Sequence, residues 1–297
     1  MIAHRSTRQP TNNQRSLVAQ GMHASINART EAGADLKSPI CIYSLCDAFK
    51  VPVRFNDVNM EGMYDRVPRP RIHLSALRPL VRRNFTCAHE LGHHVFGHGS
   101  TIDELREEQQ LNASRPATEI LADAFAAFVL MPTLGLRAAF AVRGVDPNKA
   151  TAAQLYSIAC NFGVGQKTLL NHLAFGVEMM SRAQWNRLQR ITPKMIRADL
   201  LGEITSEPLT IADEYWSSAA LDTEQNSLLL LPSEAVVDTS MITPLKELPA
   251  GRLCKAVRCG ISRVAIPGTS WATYVRIARS QYVGLARFRH LEETADD

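Results

Sequence analysis

The chain of 297 residues lacks any uninterrupted apolar run near the ~18 residues of a membrane span. Its longest such stretch extends only from Ala124 to Pro132. The opening segment MIAHRSTRQPTNNQ has no hydrophobic signal core. There is no internal repeat and no low-complexity block. Charge of one sign is also scarce: 33 basic side chains oppose 29 acidic ones, leaving a net +4. That excess is too small to mark a protein that coats nucleic acid. The six cysteines (Cys41, Cys46, Cys87, Cys160, Cys254, Cys259) include two C-x4-C spacings, neither of which matches a tight zinc spacing. Thiols in a reducing cytoplasm are expected, with no membrane partner.

A 45% hydrophobic fraction suffices for ordinary packed cores. Length alone suggests about two domains at roughly 150 residues each, but the texture changes more often than that. Residues 1–37 read as a frayed tail and a weak amphipathic helix from Gln14 to before Gly33. Residues 38–145 read as α+β. Ser38-Pro39 is expected to cap a helix over ICIYSLCDAFK. Short strands follow at Val51–Asn56, Glu61–Arg66 and Arg71–Ser75, forming a small antiparallel sheet. Longer helices are expected at Pro79–Gly97 and Ser114–Met131. Residues 146–202 read as helical. Residues 203–297 hold short β-type runs at Leu228–Leu231, Arg263–Ile266, Ala272–Ile277 and Tyr282–Leu285.

Chemistry concentrates in His89-Glu90-Leu91-Gly92-His93, an H-E-x-x-H pattern within a predicted helix. Histidines at i and i+4 share one helical face, so both imidazoles can hold one divalent ion, with Glu90 as base toward an attacking water. Composition alone yields roughly 0.03 chance matches. A third ligand is required. The extended metzincin pattern would need His at position 99, where this chain has Gly99. His94 and His98 lie well around the helix from His89, about 140° and 180° away, and read as surface histidines.

Glu119 and Asp123 stand one turn apart in the otherwise apolar run EILADAFAAFVLM. A buried carboxylate must be paired, coordinated or protonated. Glu119 is therefore the candidate third ligand, with an ion pair to arginine as its competitor. Asp123 is the candidate partner for the far nitrogen of a ligand histidine. Ala122 and Ala126 are small enough to let this helix approach the His89/His93 helix. Glu104, Glu107 and Glu108 read as a solvated stretch.

FTCAHELGHHVFGH followed by EILADAFAAFVLMP resembles the ImmA/IrrE family of bacterial metallopeptidases over roughly residues 35–135. The resemblance implies that His89, His93 and Glu119 ligate a metal, Zn²⁺ or alternatively Mn²⁺. It implies Glu90 as catalytic base and Asp123 as polar helper. It further implies a protein substrate, commonly a helix-turn-helix repressor whose cleavage releases a stress or mobile-element programme. Tyr64 and His98 are candidates for stabilising the oxyanion.

Ile158, Ala159, Phe162, Gly163, Val164, Leu169 and Leu173 follow a helix-turn-helix spacing, again similar to IrrE-like proteins. The second helix would present Gln166, Lys167, Asn171 and His172. Residues 163–199 carry six basic side chains against two acidic ones. A helix pair that only packs, or docks a protein, fits the same pattern, so DNA contact stays open. The alternative overall is a non-proteolytic DNA- or protein-binding regulator with a structural metal. Phe175, Met179, Met180 and Trp185 read as core. Arg66, Arg69, Arg71, Arg78, Arg82 and Arg83 read as surface charge or a substrate groove.

Overall fold

The computed structural model describes residues 12–103, 116–216 and 219–291; Glu104, Glu107, Glu108 and the expected N-terminal tail at 1–11 lie outside these. The fold is mixed α+β. Helix α1 (Asn12–Glu31) is followed by α2 (Ile42–Ala48), then by strands β1 (Val53–Asn56), β2 (Gly62–Asp65) and β3 (Arg71–Ser75). Helix α3 (Leu80–Val95) precedes a short strand β4 (Thr101–Asp103). Helices α4 (Ala117–Leu130), α5 (Thr133–Val142), α6 (Ala152–Asn161), α7 (Gln166–Asn171), α8 (Arg182–Leu188) and α9 (Pro193–Leu201) follow.

The expected cap at Ser38-Pro39 is not used, since α2 begins at Ile42 with Cys41 before it. Ser38 is engaged elsewhere. Its backbone N–H donates to Asp35 Oδ1 at 2.6 Å, and its carbonyl accepts from the Arg29 guanidinium. Arg29 is 1% exposed and also donates to the carbonyls of Asp35 at 2.9 Å and Val129 at 2.5 Å. One buried cation thus ties α1, the following turn and the end of α4 together.

The first sheet is mixed, not antiparallel as expected. Its order is β12-β1-β3-β2-β4, where β12 is Gly284–Leu285. Ile72 and Leu74 of β3 are fully buried, which suits the centre of a sheet covered by helices. With β3 between β1 and β2, the β1–β3 pair runs parallel and β2–β3 antiparallel. The run read as Tyr282–Leu285 does not stay with the C-terminal strands. It returns to pair with β1, placing Arg54 opposite Leu285.

One continuous core runs from Ala28 through Phe125, Phe140, Leu155 and Leu173 to Leu188, and includes Ala286. Residues on both sides of position 145/146, read as a boundary, contribute to this core. The window 117–142 is apolar and long enough to cross a membrane by composition. It nevertheless breaks between α4 and α5 at Met131-Pro132, and 61% of its most apolar stretch is buried inside the protein.

Residues 209–278 form two small sheets around a second core that includes Leu229, Ile242, Val264 and Ile277. One sheet has the order β5-β7-β9-β8: Leu209–Ile211, Leu228–Leu231, Gly251–Ala256 and Ile242–Leu248. The other has the order β10-β11-β6: Gly260–Ala265, Ala272–Ala278 and Leu221–Glu224. Charged pairs bind them to the helical body. Arg143 grips Asp213 with two 2.8 Å bonds, and Arg83 of α3 meets Glu224 of β6 at 2.5 Å. Burial opposes a charge on Asp222, yet His290, Arg289 and Arg276 outweigh it and hold the carboxyl well below the usual range.

Candidate metal centre

Two helices build the site. On α3, His89 and His93 are one turn apart and buried, at 5% and 0% exposure. On α4, Glu119 faces them and is 5% exposed. The helices can meet this closely because α3 has glycine at 92: a Cβ there would stand 3.0 Å from Ala122 Cα and 3.2 Å from the Phe125 ring. Ala122, one of the two small residues expected to allow this approach, thus lies against a glycine on α3.

His89 Nε2 is 3.0 Å from His93 Nε2, while Glu119 Oε2 and Oε1 lie 3.6 and 3.5 Å from these two nitrogens respectively. A tetrahedral zinc site with bonds of about 2.0–2.1 Å has ligand–ligand edges of about 3.3 Å. The three residues therefore fit a divalent ion, and two facing Nε2 atoms beside a buried carboxylate are a donor set suited to one.

The ligands are oriented from behind. His89 Nδ1–H donates to Asp123 Oδ1 at 2.8 Å, which leaves the Nε2 lone pair for the site. Asp123 is less buried than the sequence suggested, with its side chain 34% exposed. It sits one turn beyond Glu119 on α4 and keeps this contact at the edge of the site. Burial opposes a charge on His89, but Asp123 and then Glu119 outweigh it and hold its pKa up at about 10. The same electronegative cradle suits a divalent cation, which would take the place of the Nε2 proton.

His98 is not the bystander expected. Its Nδ1 lies 2.8 Å from His93 Nδ1, and its ring stacks on Phe96 at 5.7 Å. The helical wheel misplaced it because α3 stops at Val95. Gly97 takes φ +67°, His98 N–H donates to the His93 carbonyl at 2.9 Å, and Gly97 N–H donates to the His94 carbonyl at 3.0 Å. These are the bonds of a Schellman motif, and they fold His98 back beside its own ligand histidine. His94 is likewise half-buried and bonds the Tyr64 hydroxyl at 2.9 Å.

Glu90 is fully buried under β2. A Cβ on Gly62 would lie 3.2 Å from Glu90 Oε1 and 2.5 Å from Thr86 Cγ2, so β2 crosses α3 at a glycine. Four of the six clustered arginines are engaged in ion pairs. Arg71 pairs with Asp65, Arg78 and Arg82 pair with Glu61, and Arg83 is buried against Glu224.

The helix-turn-helix spacing produces α6, a turn at Gly163 and α7, but α7 spans only six residues before a π-helical turn at 172–176. Of its four expected reading residues only Lys167 is exposed. Gln166 and His172 are buried, and Asn171 accepts from the Trp185 indole at 3.0 Å. Phe175, read as core, is 39% exposed, with the Arg182 guanidinium 4.0 Å above its ring.

A buried pair of helical histidines with a carboxylate from the next helix, and a glutamate between the histidines, defines a metallopeptidase-type site. Residues 46–173 match the family model described as the IrrE N-terminal-like domain, Peptidase_M78. Among solved structures, a Mycobacterium tuberculosis transcriptional regulator matches at 18% identity and a TM-score of 0.34. That match covers 56% of this chain and 52% of the regulator, about half the length of each. Among curated proteins none matches.

Proposed function

We propose that the protein is a zinc-dependent endopeptidase of the reducing cytoplasm that cleaves a protein substrate, a helix-turn-helix transcriptional repressor. The observation that carries the reading is the three-sided ligand set of His89, His93 and Glu119, built on a helix that also carries Glu90. The family-model match over residues 46–173 supports a peptidase; the repressor substrate rests on the resemblance of the FTCAHELGHHVFGH and EILADAFAAFVLMP motifs.

A Zn²⁺ or Mn²⁺ ion held there supplies Lewis acidity to the scissile carbonyl and to the attacking water. Asp123 fixes the tautomer of His89, and His98 accepts from His93 Nδ1–H, so both Nε2 lone pairs face the site. Glu90 takes the proton from the attacking water and returns it to the leaving amine. Burial of Gln166 and His172 disfavours base reading by α7 and favours proteolysis over the DNA-binding alternative.

The test mixes the full chain, loaded with Zn²⁺ or Mn²⁺, with repressors encoded beside its gene. One discrete cut is expected with the wild type. Glu90→Gln should keep the metal and slow cleavage by about 10²–10⁴-fold. Unchanged cleavage by metal-loaded Glu90→Gln would remove the proposed mechanism.

A further inference from the structure

A cavity of ≈ 580 Å³ opens between the helical body and the β-rich part. This is within the range of about 300–1,000 Å³ usual for small-molecule sites. It is separate from the metal centre, since none of His89, His93 and Glu119 lines it. Its walls come from the start of α3 (Leu80, Asn84), the α6–α7 turn (Asn161, Gln166), α9 (Arg197) and β6 (Thr223).

Its polar lining is out of balance. Asn161 Nδ2, Gln166 Nε2 and Arg197 Nε are buried donors without a hydrogen-bond partner among the described residues. Asn161 and Gln166 are 7% and 3% exposed. Native proteins leave few such groups unpaired, so each calls for an explanation. The charges are unequal too. The cavity's Asp222 is taken by Arg276 and Arg289, and its Glu224 by Arg83. Arg197 has no carboxylate partner among the described residues. The other side of the lining is apolar, through Ile40, Val81, Leu130, Phe162 and Val164.

We propose that this cavity binds a small amphipathic organic anion. Its oxyanion is received by Arg197, Asn161 and Gln166, and its apolar body lies against the aliphatic and aromatic lining. The occupant touches α3 and β6 together. Asn84, on the motif helix, already reaches the α6–α7 turn by donating to the Gly163 carbonyl at 2.9 Å. The site is thereby placed to tie the β-rich part to the helix bearing His89 and His93.

The test titrates the full-length protein with 8-anilinonaphthalene-1-sulfonate, a compact aromatic monoanion, and with the neutral N-phenyl-1-naphthylamine. Fluorescence and calorimetry should find one saturable site per chain, with the neutral compound at least about tenfold weaker. Losing a charge-assisted hydrogen bond in Arg197→Met should weaken the anion about tenfold or more, and Arg197→Lys should recover most of the loss. Ala220→Trp, which fills the cavity from a half-buried position, should abolish binding while near-ultraviolet circular dichroism stays native-like. Several equivalent sites, equal affinity for the neutral compound, or full binding by both Arg197→Met and Ala220→Trp would overturn the proposal. No peptide is cleaved in this assay, so its outcome is independent of the peptidase reading.

Discussion

His98 Nδ1 stands 2.8 Å from His93 Nδ1, while Asp123 Oδ1 stands 2.8 Å from His89 Nδ1. The two ligand histidines are therefore backed by different groups, one by an imidazole and one by a carboxylate. Outer partners of this kind typically affect metal affinity by 10–100-fold. Asp123→Ala and His98→Ala are each expected to weaken Zn²⁺ binding by about that factor, read by competition with a chelating dye. If His98→Ala binds as tightly as the wild type, the contact is incidental.

Metal should also stabilise the fold. With free Zn²⁺ at about 1,000 times its dissociation constant, linkage adds about 4 kcal/mol. Chelation is expected to lower the melting temperature of the wild type. Glu119→Ala, lacking the carboxylate that joins α4 to α3, should melt at nearly the same temperature with or without the ion. A melting temperature that still responds fully to Zn²⁺ would show that Glu119 is not a ligand.

Arg29 offers a test away from the site. Its guanidinium is buried and satisfies three backbone carbonyls. Arg29→Met keeps much of the side-chain volume but leaves those acceptors unpaired, at a cost of about 2–4 kcal/mol. Urea unfolding should show this loss in the midpoint with little change in slope.

His172 sets an acid limit. It is buried, its Nε2–H donates to the Met131 carbonyl at 3.0 Å, and burial pulls its pKa down to about 4. The neutral ring is favoured in the fold, so its contribution is complete above the unfolded value of about 6.5 and declines as pH falls toward 4. The loss across that window is about 3 kcal/mol. His172→Gln keeps a donor without titrating, so its stability should vary less between pH 7 and pH 4. Equal slopes for the two proteins would place the acid sensitivity elsewhere.

The site was readable where its geometry is local. His89, Glu90 and His93 need only one helical turn, and Glu119 declares itself as an acid in an apolar run. Asp123 was readable for the same reason, although an apolar run gives no sign that its side chain stays 34% exposed. His98 was missed because a helical wheel assumes that the helix continues, whereas Gly97 ends it and reverses the chain. That signal was present: glycine is the residue favoured at such a helix terminus. Strand existence was mostly legible from β-branched and apolar runs. Strand partners were not, because the order β12-β1-β3-β2-β4 is settled by contacts distant along the chain. Burial of Gln166 and His172 was equally hidden, since the packing of α7 against α8 and of the 172–176 turn against α4 leaves no periodic trace.

The pairing of Leu285 with Arg54 has a consequence for biosynthesis. During translation β1 has emerged long before its outer neighbour exists, and some 230 residues separate the two partners. The β1 edge of the first sheet therefore remains open, with unpaired backbone groups, until residues 284–285 have left the ribosome. A chain ending between α4 and residue 284 would carry His89, His93 and Glu119 but would leave that edge of β1 uncovered. Completion of a sheet begun at Val53 thus waits on the strand at residues 284–285.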